Sequence, residues 1–189
     1  MSTLHSKAEA SVATQSKQPN ILLIMCDQYR GDCLSYTPTP SCIPARATLF
    51  TGKNASHTGR VGYQDGIPWT YDNMLAELLG NNGYQTQCVG KMHVHPPRNT
   101  CGFDHVKLHD GYLGYYRNKT VPLYMHQEKH DDYLYFLKDK VGMDADVTTT
   151  GIDPNARISY PWPYKDEYHP TYWATTESIR FLETRDRDK

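Results

Sequence analysis

The apolar run "ILLIM" at residues 21–25, bounded by Pro19 and by "CDQ", constrains the fold more than any other stretch of the chain. It is unbroken rather than alternating, and too short for a helix or a membrane span. That is the pattern of a strand buried on both faces, here residues 19–26, in a parallel sheet. Such a sheet needs helices over both faces, so the rest of the chain must supply them.

The next segments do. From Ser41 a helix is expected, with Ser41 as cap, Pro44 in the first turn and Gly52 as stop. A second helix fits "YDNMLAELLGNNGY", starting at Asp72 or Asn73, with Met74, Leu75, Leu78 and Leu79 as its apolar stripe. "YQTQCVG", Tyr84–Gly90, reads as another strand leading into "KMHVH". Residues 96–170 read as loops and insertions with one helix near "DDYLYFLKDKV". A last helix spans Thr171–Thr184, anchored by Trp173, Ile179 and Leu182. The predicted class is α/β, a mostly parallel sheet flanked by helices, following a polar disordered lead-in at residues 1–18.

Charge narrows the partners. Lys and Arg total 20 against 21 Asp and Glu, with no basic stripe, so nucleic acid is not an expected partner and neither is a membrane. The five cysteines (Cys26, Cys33, Cys42, Cys88 and Cys101) form no CxxC pair, and the first twenty residues lack the apolar centre of a secretory signal. A reducing, cytoplasmic location is the expectation.

The chemistry concentrates in "CIPARATLFTG". Cys42 sits at the expected helix N-terminus, where free amides and the dipole favour an anion. Arg46, at i+4, lies on the same face and can reach whatever residue 42 becomes. Polar residues just beyond parallel strands line the ligand crevice, which puts Asp27, Lys91 and His93 on one rim. If the backbone at 91–93 is extended, Lys91 and His93 point the same way and can share one anion. His95 extends this to H-x-H, but no further ligand has zinc spacing. Only 15 positions separate Asp27 from Cys42, and "RGDCLSYTPTPS" has no stripe for the helix that a parallel crossover requires.

"PNILLIMCDQ", "CIPARATLFTG" and "GYQTQCVGKMH", in this order, resemble the sulfatase family of the alkaline phosphatase superfamily. The resemblance runs from about Pro19 to the end of the chain and implies an alkaline-phosphatase-like fold and hydrolysis of sulfate esters. It implies that Cys42 is oxidised to formylglycine by a formylglycine-generating enzyme, with Pro44 and Arg46 completing the signal. It further implies a calcium or magnesium ion held by Asp27, Gln28 and residue 42, and a small sulfated substrate whose sulfate is bound by Lys91 and His93.

Two departures accompany the resemblance. A helix and strand on the order of thirty residues long, expected between the first aspartate and the cysteine, are missing at the Ser35–Tyr36 junction. The chain also stops after "SIRFLETRDRDK", before the family's later metal ligands. Residues 19–189 are therefore expected to be the N-terminal portion of a sulfatase catalytic domain with an internal deletion. The competing readings are a phosphonate or phosphate ester hydrolase of the same superfamily, and a non-catalytic fragment that binds an anion or a partner.

Overall fold

The computed structural model describes residues 18–26, 39–110, 131–152, 156 and 158–187. The chain divides into two compact units, Met1–Tyr36 and Thr37–Lys189. In the first, the described residues 18–26 form neither helix nor strand, and Ile21 to Met25 are all at least 50% exposed. The expectation of a doubly buried strand at 19–26 is therefore corrected. A strand of that kind exists only where neighbours bond both its edges and layers cover both its faces, and no layer of the described residues covers Ile21 to Met25. Asp27, Gln28 and the Ser35–Tyr36 junction lie outside the described residues.

The second unit carries, in order, α1 (Cys42–Thr51), α2 (Ala55–Thr58), α3 (Leu75–Asn81), β1 (Gln87–Gly90), β2 (His105–Leu108), α4 (Asp132–Val141) and α5 (Pro170–Thr184). β1 and β2 pair in parallel, Gln87 opposite His105 through Gly90 opposite Leu108. β2 lies in the stretch read from sequence as loops. It is an exposed-leaning "HVKL" whose pairing partner is 18 residues away, so local pattern gives no sign of it.

Local signals set the helix ends. α1 starts after Ser41 and stops at Gly52, whose φ of 66° is the left-handed conformation that glycine adopts without steric cost. Ser41 takes the extended cap conformation, but its side chain makes no cap bond. α3 begins later than expected, because Asn73 is itself left-handed, with φ 59°. The Glu77 carboxylate instead accepts from the Met74 amide. Met74 and Ala76 are the buried residues there, while Leu75 and Leu78 face outward. Gly102 (φ 88°) lets its loop press against this turn: a Cβ at residue 102 would sit 2.5 Å from the Glu77 amide nitrogen. Asp131 caps α4 by accepting from the Leu134 amide, and Lys138 and Lys140 lie at its negative end.

Adjacent residues of β1 face opposite layers. Cys88 packs with Val106 and Leu108 against Ile43, Ala47 and Phe50 of α1, together with Trp69, Met74 and Met92. Val89 packs against Tyr133, Leu134 and Leu137 of α4 and Trp173 of α5. Helices thus cover both faces of a parallel pair, the α/β arrangement expected. On α5 only part of the expected anchor set is inside. Trp173 is buried, Ile179 and Leu182 are exposed, and Glu177 takes an inner position where it accepts from Arg180. Among the described residues no helix is long and apolar enough to cross a membrane.

Candidate functional site

The site forms where the N-terminus of α1 meets the segment leaving β1. Cys42 is the first residue of α1 and half-buried. One turn on, Arg46 is only 8% exposed, and its guanidinium donates to the Lys91 carbonyl at 2.5 Å. The Lys91 ammonium donates back to the Cys42 sulfur at 3.3 Å. Three of the four residues expected to carry catalysis therefore close a loop of contacts between α1 and the end of β1.

His93 departs from expectation. Its φ is 54°, so the backbone leaves the extended conformation at His93, and Lys91 and His93 go to different partners. His93 is buried, and its Nε2 lies 3.2 Å from the Tyr63 hydroxyl. This backbone is bonded to Asp110, two residues beyond β2. One carboxylate oxygen of Asp110 accepts from the amides of both Met92 (3.0 Å) and His93 (2.8 Å).

Burial pushes the Asp110 carboxyl above the usual carboxylate range; the two amide bonds and the charges of Arg46 and Lys91 pull the other way without cancelling it. Its Oδ1 is buried and makes no hydrogen bond. The sign for stability follows from linkage. A carboxyl whose pKa is higher in the folded chain favours folding while protonated, below the unfolded value near 3.8, and that advantage is lost as pH rises through the folded value. Asp110→Asn should flatten the corresponding limb of the stability–pH curve, measured by urea unfolding from about pH 4 upward. An unchanged curve would show that Asp110 titrates as it does in the unfolded chain.

The other thiols near the sheet differ from Cys42 in setting. Burial raises Cys88 to about 11 and Cys101 to about 12, which keeps both as protonated core residues.

The sequence also gave no spacing signal for Tyr63 or for Arg60, which organises the loop that carries it. Arg60 is 2% exposed and donates to the Tyr71 hydroxyl and to the carbonyls of Gln64, Ile67 and Pro68.

A cation is a separate question. Among the described residues no three His, Cys, Asp or Glu converge, and the one expected ligand among them, Cys42, faces the Lys91 ammonium. A hard cation takes six or more oxygens. The described residues do not fit one by themselves, and the expectation of calcium or magnesium rests on Asp27 and Gln28, outside them.

Comparison with known proteins identifies the family. Residues 34–157 match the family described as Sulfatase. An arylsulfatase of Clostridium perfringens is 44% identical over 197 residues, covering 91% of this chain and 41% of its own length. An ulvan-active sulfatase of Formosa agariphila is 31% identical over 81% of this chain and 39% of its own. A choline-sulfatase of Rhizobium meliloti is 33% identical over 46% of this chain and 22% of its own. The chain thus spans about two-fifths of the length of the arylsulfatase and of the ulvan-active sulfatase.

Proposed function

Because the chain belongs to the sulfatase family, we propose that it supplies the nucleophile half of a site that hydrolyses sulfate esters through a formylglycine made from Cys42. The observation that carries this reading is the Lys91 ammonium 3.3 Å from the Cys42 sulfur at the head of α1. A cation and a helix N-terminus converge there on the sulfur, whose place an attacking diol oxygen would take.

The chemistry needs the aldehyde. Hydrated to a diol, residue 42 attacks sulfur through one hydroxyl oxygen, and the ester oxygen leaves with a proton as the alcohol. The second hydroxyl then gives up its proton, its C–O bond becomes the carbonyl, and sulfate departs. A thiol has no second hydroxyl and cannot complete that step. Lys91 holds the sulfate oxygens, Arg46 fixes the Lys91 backbone, and His93, turned to the Tyr63 hydroxyl, is given no contact with the sulfate. In this reading the chain also contributes to a calcium or magnesium site, with Asp27 and Gln28 as candidate ligands, whose charge would favour the anionic nucleophile.

The substrate class follows the 44% relative, whose name is arylsulfatase. The relatives named for choline and ulvan set no common substrate beyond the sulfate group. We further propose that residues 19–189 are one portion of a longer catalytic domain, with family segments required between Ser35 and Tyr36 and after Lys189. A cytoplasmic location also belongs to this proposal.

The test is co-expression with a formylglycine-generating enzyme. Peptide mass spectrometry should show loss of the thiol and reaction with a hydrazide probe at residue 42. Pro44→Ala or Arg46→Ala should lower conversion. Joined to the missing segments, the converted protein should hydrolyse an aryl sulfate, and the 189-residue chain alone should do so negligibly. An unconverted Cys42 under these conditions removes the mechanism. Conversion followed by turnover of an aryl phosphonate in place of the sulfate ester reassigns the substrate class.

A further inference from the structure

The segment Lys91–Met92–His93 is held by two side chains of opposite charge that are remote from it in sequence. Arg46 takes the Lys91 carbonyl, and Asp110 takes the next two amides, Met92 and His93, on a single oxygen. Between these anchors His93 adopts φ 54°. For a residue with a Cβ that conformation is disfavoured, so contacts must hold it. Two charge-assisted bonds to one carboxylate supply them.

The position of Asp110 comes from the sheet. Gly90 pairs with Leu108, the His109 amide still donates to the Gly90 carbonyl, and the same count sets Met92 beside Asp110. Asp110 is far too occupied with backbone to meet a substrate, and its own second oxygen is buried. Its influence reaches the site through Lys91, one residue from the first amide it holds.

We propose that Asp110 is the positioning residue of the anion-binding element: its carboxylate bends 91–93 so that the Lys91 ammonium lies on residue 42. The meaning of that placement rests on the sulfatase reading, but the contact itself does not. It can be tested on the unmodified thiol with no sulfate ester present, so failure of formylglycine conversion and failure of this proposal are separate results.

The experiment measures the alkylation rate of Cys42 by iodoacetamide in the 189-residue chain, resolved by peptide mass spectrometry, with protection of the buried Cys101 as the check that the fold persists. Lys91→Met should change the Cys42 rate severalfold, because the ammonium lies 3.3 Å from the sulfur that iodoacetamide must reach. Asp110→Ala should produce the same change, and adding it to Lys91→Met should produce no more, within about twofold. Asp110→Asn should retain the wild-type rate, since its amide oxygen can accept from the same two backbone amides.

A wild-type rate in Asp110→Ala overturns the proposal. So does an Asp110→Ala effect that persists in full on the Lys91→Met background, or a Lys91→Met rate equal to wild type. Should Asp110→Ala also open Cys101, Asp110→Glu takes its place. With its carboxylate one methylene further out, it should change the Cys42 rate while Cys101 stays protected, and an unchanged rate again overturns the proposal.

Discussion

Arg60→Ala is expected to destabilise the chain by about 3 kcal/mol or more, with the melting temperature falling on the order of 10 °C. Arg60 is buried, and its partners are three loop carbonyls and the Tyr71 hydroxyl rather than a carboxylate. It also lies 5.1 Å from the Trp69 ring centre and 5.8 Å from that of Tyr71. Truncation leaves four acceptors without their donor and removes a cation stacked on two aromatic rings. The Tyr71 hydroxyl still donates to the Thr58 carbonyl, so the loop should loosen mainly between Arg60 and Pro68. Arg60→Lys should recover little, because an ammonium cannot span the three directions that the guanidinium fork serves. Thermal unfolding and limited proteolysis across residues 60–71 measure both effects. A lysine variant as stable and as protease-resistant as wild type would refute the account.

Asp131→Ala is expected to cost a comparable amount, about 3 kcal/mol, from a different kind of contact. Asp131 has no exposed surface. One oxygen caps α4 at the Leu134 amide, and the other lies 2.9 Å from the His109 Nδ1. The cap alone is worth about 1 kcal/mol; the remainder is the contact between the fully buried carboxylate and the half-buried His109 ring. The neighbouring Arg98–Asp132 pair looks stronger on paper, with two contacts at 2.8 and 3.2 Å, but both side chains are substantially exposed. Removing the Arg98 side of it should cost no more than about 1 kcal/mol. Chemical denaturation of Asp131→Ala, Asp131→Asn and Arg98→Ala separates these contributions, with Asp131→Asn retaining the cap and falling between the other two.

What could be read from sequence was mostly what local chemistry decides. Ser41, Pro44 and Gly52 bracket α1 because capping, a fixed proline φ and a left-handed stop act within a few residues. The parallel β1 strand was legible as a short apolar stretch after a helix stop. β2 was not, because "HVKL" owes its strand state to pairing with Gln87–Gly90 and to the covering of one face by α1. "ILLIM" shows the converse: a strand-like composition lies outside helix and strand. The inward face of α5 was legible only in part: Trp173 is inside as its spacing implied, whereas Glu177 takes an inner position that hydrophobic spacing does not indicate. In the candidate site, motif order pointed to Cys42, Arg46, Lys91 and His93, and the fold brings the first three into contact. Asp110 and Tyr63 stand in segments with no repeated spacing, and only the folded chain brings them to His93.

The parallel ladder also acts as a gauge for the site. Lys91 and Asp110 stand on the continuations of two different strands, so their relative height is set by which residue of β2 faces which residue of β1. A slip of one step would carry the carboxylate about 3.3 Å along the strand and turn it to the opposite face. The amides of Met92 and His93 would then have nothing to hold them. A single residue inserted between His105 and Asp110 would therefore leave every site side chain present in the chain and still take the site apart.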